Sequence, residues 1–264
     1  MEEWKQRTGI LVGEDGLARL AASSVMIVGL GGVGAVAAEM VVRAGVGHVV
    51  IIDSDSVSIT NKNRQIIALD STIGRQKSEV VADRLLDINP KLDLKVIDRY
   101  LTEDNVPAIF EEANLAEADR DATFVIDAID TLSPKLGLIR YCVENKFRLV
   151  SSMGSGAKYD LTKVRISDIS KSFNCPLAYM VRKKLRKMGI SKGFKVVFSE
   201  ELPIESAIIP FTAEEMAEVS NKKSQVGTIS YLPATFGCAC AQVALTTLLQ
   251  LSDAQRSQQS EAGQ

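Results

Sequence analysis

The sequence predicts an α/β fold: a mostly parallel sheet with flanking helices, continued by antiparallel strands in the C-terminal half. Three observations predict it. Short β-branched runs alternate with helical patterns through the first half, the rhythm of parallel strands joined by crossover helices. The first such run leads into Gly29-Leu30-Gly31-Gly32-Val33-Gly34, a tight turn of the Rossmann-like kind between strand and helix. Beyond Gly154-Ser155-Gly156 the strict alternation fades.

Taken in order, Val25–Val28 is a strand, a small-residue helix runs over 32–44, and Val49–Ile52 is the second strand. A polar loop follows, then a helix over 74–88 that Asn89-Pro90 stops, because proline cannot continue the hydrogen-bond ladder. Residues 94–98 form a third strand. An acidic helical stretch covers 103–121, and 124–126 is the fourth strand. Ser133-Pro134 opens a helix with a hydroxyl cap and a first-turn proline. Strands follow at 148–151, 164–166 and 195–198, with a basic helix over 176–188 between the last two. A final small-residue helix spans 233–251. Residues 1–252 are read as one domain, with a nucleotide-binding half over about 20–152 and a substrate-binding half over about 153–252. Residues 253–264 have too few apolar groups to order and are read as a disordered tail.

With 264 residues, 46% of them hydrophobic, the chain can bury a sizeable core. No apolar run approaches the roughly 20 residues that span a bilayer, and the acidic, polar start is unlike a signal peptide. The expected setting is the cytoplasm, with no membrane. Cys142, Cys175, Cys238 and Cys240 include no C-x-x-C pair, so neither a zinc site nor a disulfide framework is indicated. His48, the one histidine, is read as structural.

The glycine turn follows a strand and opens a helix, where exposed N–H groups and the helix dipole favour phosphate. Gly29, Gly31, Gly32 and Gly34 therefore form the candidate phosphate cradle. Asp53 ends the next strand, where a carboxylate can grip ribose hydroxyls. Those residues leave the nucleotide open. The loop 53–65 narrows it, because a nicotinamide enzyme has no general need for so much hydrogen-bonding machinery after the ribose acid. Arg64 offers a planar fork for phosphate oxygens and Lys77 a mobile charge, the pairing expected where negative charge grows during nucleotidyl transfer.

GLGGVG, IIDSDSVSITNKNRQ, the G-x-x-K of Gly74 to Lys77 with INP after it, and DAIDT together resemble the ubiquitin-activating superfamily, whose members adenylate carboxylates with ATP. The resemblance implies that Gly32 lines the nucleotide pocket and that Asp53 and Asp55 lie on the nucleotide. It implies that Asn61, Arg64 and Lys77 hold the triphosphate and that Asp130 holds Mg²⁺. Asp127 is read as structural, since an acid at a strand's carboxyl end often caps the next helix. Arg7, in RTGILVG, matches an arginine that reaches into a partner subunit's site, which implies a homodimer.

In the second half, SSMGSGAKYDLTKVRISDISKS, NCPLAYMVRKKLRKMGI and the ATFG segment are similar to the branch of that superfamily that dehydrates threonylcarbamoyladenosine in tRNA. That branch implies ATP-dependent ring closure through an acyl-adenylate, a modified tRNA as partner, and sulfur-transfer proteins as candidate partners. Between Lys158 and Lys195 eleven basic residues face two acids, in a chain of net charge −2. Arg182, Lys183, Arg186 and Lys187 are the candidate RNA contacts, since neutralised phosphates release counterions. Two other readings stay open: an adenylating enzyme for a sulfur-carrier protein, which the missing zinc cysteines argue against, and an NAD-dependent oxidoreductase, which would share only the glycine turn.

Overall fold

A computed structural model describes residues 2–212 and 224–250. In chain order it comprises α1 (Gln6–Ala22), β1 (Ser24–Val28), α2 (Gly34–Ala44), β2 (His48–Ile52), α3 (Lys77–Ile88), β3 (Asp93–Ile97), α4 (Val106–Glu112) and β4 (Thr123–Asp127). Then follow α5 (Leu132–Glu144), β5 (Arg148–Ser152), β6 (Val164–Asp168), α6 (Pro176–Lys187), β7 (Lys195–Ser199), β8 (Ile208–Pro210), β9 (Ser224–Val226) and α7 (Tyr231–Leu248). β1 to β7 make one sheet in the order β3-β2-β1-β4-β5-β7-β6. Every neighbouring pair is parallel except β6 with β7. β8 and β9 pair separately, antiparallel.

The central strands are apolar on both faces because helices cover both. Val25, Ile27, Ile51 and Phe236 belong to one core layer, under α2, α3 and α7; Met26, Val28, Phe110 and Val181 belong to the other, under α4, α5 and α6. α7 is long and apolar enough to cross a membrane by composition. It packs instead as a core helix, with Leu232, Phe236, Cys240, Ala244 and Leu248 buried. A Cβ on Gly237 would lie 2.5 Å from the Val33 carbonyl oxygen, so α7 rests directly on the glycine turn.

Several expectations are corrected. The continuation into antiparallel strands holds for β6 and for the β8–β9 pair, whereas β7 runs parallel to β5. The 103–121 stretch is helical only over Val106–Glu112; Asn114, with φ 57°, ends it. α5 begins at Leu132 after Thr131, so Ser133 is not its cap. Gly74, at φ 85°, turns the chain ahead of α3, which starts only at Lys77. α1 has no counterpart in the sequence reading. The last helix ends at Leu248, and the 253–264 tail lies outside the described residues.

Candidate nucleotide site

β1, β2 and β4 end together at one edge of the sheet, and the strand order reverses between β1 and β4. An open α/β sheet takes its ligand at that switch point, beyond the carboxyl ends of the strands. The glycine turn after β1 is built by close approach. Gly29 adopts φ 89°, and a Cβ there would sit 2.9 Å from the Ala128 carbonyl oxygen. On Gly34 it would sit 1.7 Å from the Gly29 carbonyl oxygen, an impossible distance that only glycine avoids. On Gly32 it would meet Pro233 of α7 and the Arg64 carbonyl oxygen, both at 3.0 Å. Gly31 has only the Gln65 amide near it, at 3.5 Å. The glycine turn, the Arg64 segment, α7 and the loop after β4 are therefore one packed unit.

Asp53 is tied to this turn. Its Oδ2 accepts from the Leu30 N–H at 2.6 Å and its Oδ1 from the Asp55 N–H at 2.8 Å. Burial pushes the Asp53 carboxyl above its ordinary value, against the opposing pull of the Lys77 charge and the two N–H donors. Lys77, the first residue of α3, is buried and donates to Asp55 Oδ2 at 2.7 Å. Asn61 is buried too, and its Oδ1 accepts from the Ser58 N–H at 3.0 Å, closing a capping box on the single turn Ile59–Asn61. Arg64 is half-buried; one guanidinium nitrogen donates to the Thr60 carbonyl at 3.0 Å and to Asn63 Oδ1 at 2.8 Å.

The fold thus brings Gly29, Gly31, Gly32, Gly34, Asp53, Asp55, Asn61, Arg64 and Lys77 to one edge. Asp130 is exposed, two residues beyond the Ala128 that Gly29 touches. Arg7 is not there. Lys5, just before α1, and Leu17, within it, both lie 3.8 Å from a Cβ built on Gly45 at the far end of α2. α1 is broken at Gly13, φ 76°, and Ile10 and Leu11 near the break are 80% and 75% exposed.

The residues suit a nucleotide with a divalent cation. Gln65 Oε1 is buried without a hydrogen-bond partner, on the side chain whose Nε2 lies 3.5 Å from a Cβ built on Gly31, as a group awaiting a polar ligand would be. Among the described residues no group of three or more His, Cys, Asp or Glu could cage a metal by itself. Mg²⁺ is ordinarily held by one or two carboxylates plus phosphate oxygens, and Asp130, just beyond β4 at the same edge of the sheet as the glycine turn, fits that arrangement.

Sequence reasoning missed the group that fixes the Asp130 loop. Asp127, read as structural, forms a fully buried ion pair with Lys135 at 2.6 Å. Lys135 also donates to Ser151 Oγ at 3.1 Å and the Ser152 carbonyl at 3.0 Å. Asp127 Oδ1 accepts from the Ile129 N–H at 3.1 Å, one residue before Asp130. Burial pushes the Cys142 and Cys240 thiols up, so neither is an activated nucleophile. His48 Nδ1 lies 2.8 Å from Asp93 Oδ2 at the opposite sheet edge, away from the site.

Of the basic segment, Lys183, Arg186 and Lys187 are exposed on α6. Arg182 is half-buried, bonded to Ser172 Oγ, and burial pulls its guanidinium down. Lys158 is buried, donating to the Ser199 and Asn174 carbonyls at 3.0 and 3.2 Å. α6 buries Ala178, Val181 and Leu185, while Met180 and Met188 are 36% and 39% exposed.

The ThiF family model matches residues 5–262. A tRNA threonylcarbamoyladenosine dehydratase of Bacillus subtilis is 36% identical over 233 residues, covering 88% of this chain and 89% of that one. One of Escherichia coli is 35% identical over 263 residues, covering 94% and 95%. The crystal structure of the E. coli enzyme in complex with ATP superposes with a TM-score of 0.81 at 34% identity, covering 95% of this chain and 96% of that one. The E. coli molybdopterin-synthase adenylyltransferase matches at 31% over only 161 residues, 61% of each chain.

Proposed function

The chain belongs to the ThiF family, and from that premise we propose that it uses ATP to adenylate the threonine carboxylate of threonylcarbamoyladenosine in tRNA, closing a ring with net loss of water. The observation that carries the reading is the packed unit at the sheet edge, where the glycine cradle, Asp53, Lys77 and the Arg64 turn converge. Full-length similarity to dehydratases, against the partial match to the sulfur-carrier adenylating enzyme, favours RNA over protein as substrate.

In this reading the cradle N–H groups and Arg64 bind the phosphates, and Lys77 leaves Asp55 for the triphosphate. Asp53 orients the ribose, and Asn61 keeps the Arg64 turn in shape. Mg²⁺, held by Asp130, would neutralise charge on the pyrophosphate that departs. The carboxylate then attacks the α-phosphate, and the substrate's own carbamoyl group displaces AMP in an intramolecular step that positioning alone accelerates. We also propose a homodimer, which the outward Ile10 and Leu11 support, and a cytoplasmic setting.

Two outcomes are expected. MgATP at about 100 times its Kd should raise the melting temperature by roughly 5 to 10 °C, since ligand bound only to the folded state adds about 2.7 kcal/mol; NAD should not. Equal shifts from both would reject the nucleotide assignment, and nucleoside analysis of tRNA before and after reaction tests the product. Separately, replacing Lys183, Arg186 and Lys187 by alanine should lower the salt slope of tRNA affinity by roughly 2 to 3, at 0.7 to 0.9 per lost phosphate contact. ATP affinity should hold. An unchanged slope would move the RNA surface elsewhere.

A further inference from the structure

We propose that Tyr159 and Tyr231 form a platform on which a nucleobase of the RNA substrate stacks, at the rim of the phosphate-binding edge. The proposal rests on the tRNA reading above and names the part of that substrate which the rim grips.

Tyr231 is the first residue of α7, and two residues later Pro233 meets the glycine turn at Gly32. At 1.5 Å per residue the ring is anchored roughly 3 Å along the helix axis from that contact. Just before it, the Thr228 carbonyl accepts from Asn63 Nδ2 at 3.0 Å, next to Arg64. Tyr159 follows the Gly154-Ser155-Gly156 loop after β5, and the Tyr231 hydroxyl donates to the Tyr159 carbonyl at 2.7 Å. The two are thus tied together across the end of the sheet. Even so, Tyr159 is 61% and Tyr231 42% exposed.

The reacting carboxylate hangs from an adenine. For it to reach a phosphate cradled at Gly31 and Gly32, the base itself must lie at the rim. Unpaired RNA bases are held by stacking on aromatic rings, and both rings stay exposed here while the Tyr231 hydroxyl anchors its ring to the Tyr159 backbone. The local charge is compatible. Glu201 is turned onto the backbone, accepting from the Tyr159 and Asp160 N–H groups at 3.3 and 2.8 Å, and Asp160 accepts from Thr162 at 2.9 Å. Arg165 pairs with Glu200 at 3.0 Å, and Lys163, four residues after Tyr159, is exposed.

The test uses a modified anticodon stem-loop RNA with 2-aminopurine next to the modified adenosine. Wild-type protein should quench the probe. Tyr159→Ala and Tyr231→Ala should each raise the KM for RNA roughly tenfold, within the range of one lost stack, and the double variant should lose quenching. ATP binding and thermal melting control for the fold. Tyr159→Phe keeps its ring and should quench far better than Tyr159→Ala, whereas Tyr231→Phe keeps the ring but loses the hydroxyl bond to the Tyr159 carbonyl and should fall between wild type and Tyr231→Ala. A double alanine variant that quenches and turns over like wild type overturns the platform, as does phenylalanine failing as badly as alanine. Wild-type protein that adenylates another carboxylate but never converts this RNA overturns the tRNA reading itself, and the platform with it.

Discussion

Arg7→Ala is expected to lower the adenylation rate by roughly two to three orders of magnitude while leaving the subunit folded, on the proposal that this arginine acts across a dimer interface. Arg7 is exposed and belongs to no buried cluster, so its loss should cost little stability. Its own site is out of reach: the chain beside it packs against Gly45, and α2 separates Gly45 from Gly34 by 11 residues, roughly 16 Å of helix. The arm that carries it breaks at Gly13 and turns Ile10 and Leu11 outward, which is how a surface meant for another subunit looks.

Action in trans makes a second, sharper expectation. In a heterodimer of Arg7→Ala and Arg64→Ala subunits, one site keeps Arg64 from its own chain and Arg7 from the partner chain, while the other site loses both. Random exchange makes half the dimers mixed, so activity should return to about a quarter of wild type. Tagged subunits and native mass spectrometry would establish exchange. Mixed dimers that form and remain inactive would remove the argument for a shared site.

The crossover half was legible because its signals are local. Val25–Val28 and Val49–Ile52 read as buried strands from apolar runs alone, and Gly34 is required by a steric contact with Gly29 that the spacing of the turn already implies. What escaped depends on contacts between distant segments. β7 has the same apolar run whichever way it pairs, and only its place beside β5 in the folded sheet shows that it runs parallel to it. α1 was missed because Gly9, Gly13 and Gly16 interrupt it and Ile10 and Leu11 face outward, leaving no single apolar stripe to detect. In the basic segment, counting charges could not show that Lys158 is buried, its ammonium donating to the Ser199 and Asn174 carbonyls.

Lys135 is the strongest case, since a lysine three residues into a helix reads as a surface charge. Its side chain is instead fully buried against Asp127, Ser151 and the Ser152 carbonyl. Lys135→Met is therefore expected to destabilise the protein by about 3–5 kcal/mol, because it strands the Asp127 carboxylate in an apolar interior. Pairing it with Asp127→Asn removes the stranded charge, and the double variant should be more stable than Lys135→Met alone. Denaturant midpoints at constant slope would measure each corner of the cycle. A second readout separates the pair's packing from its hold on the loop: Asp127 Oδ1 takes the Ile129 N–H beside Asp130, so Asp127→Ala should weaken MgATP binding more than Lys135→Met does. A Lys135→Met protein within about 0.5 kcal/mol of wild type, the margin ordinary for surface changes, would mean that water reaches the pair and that Asp127 needs no buried partner to hold the Asp130 loop.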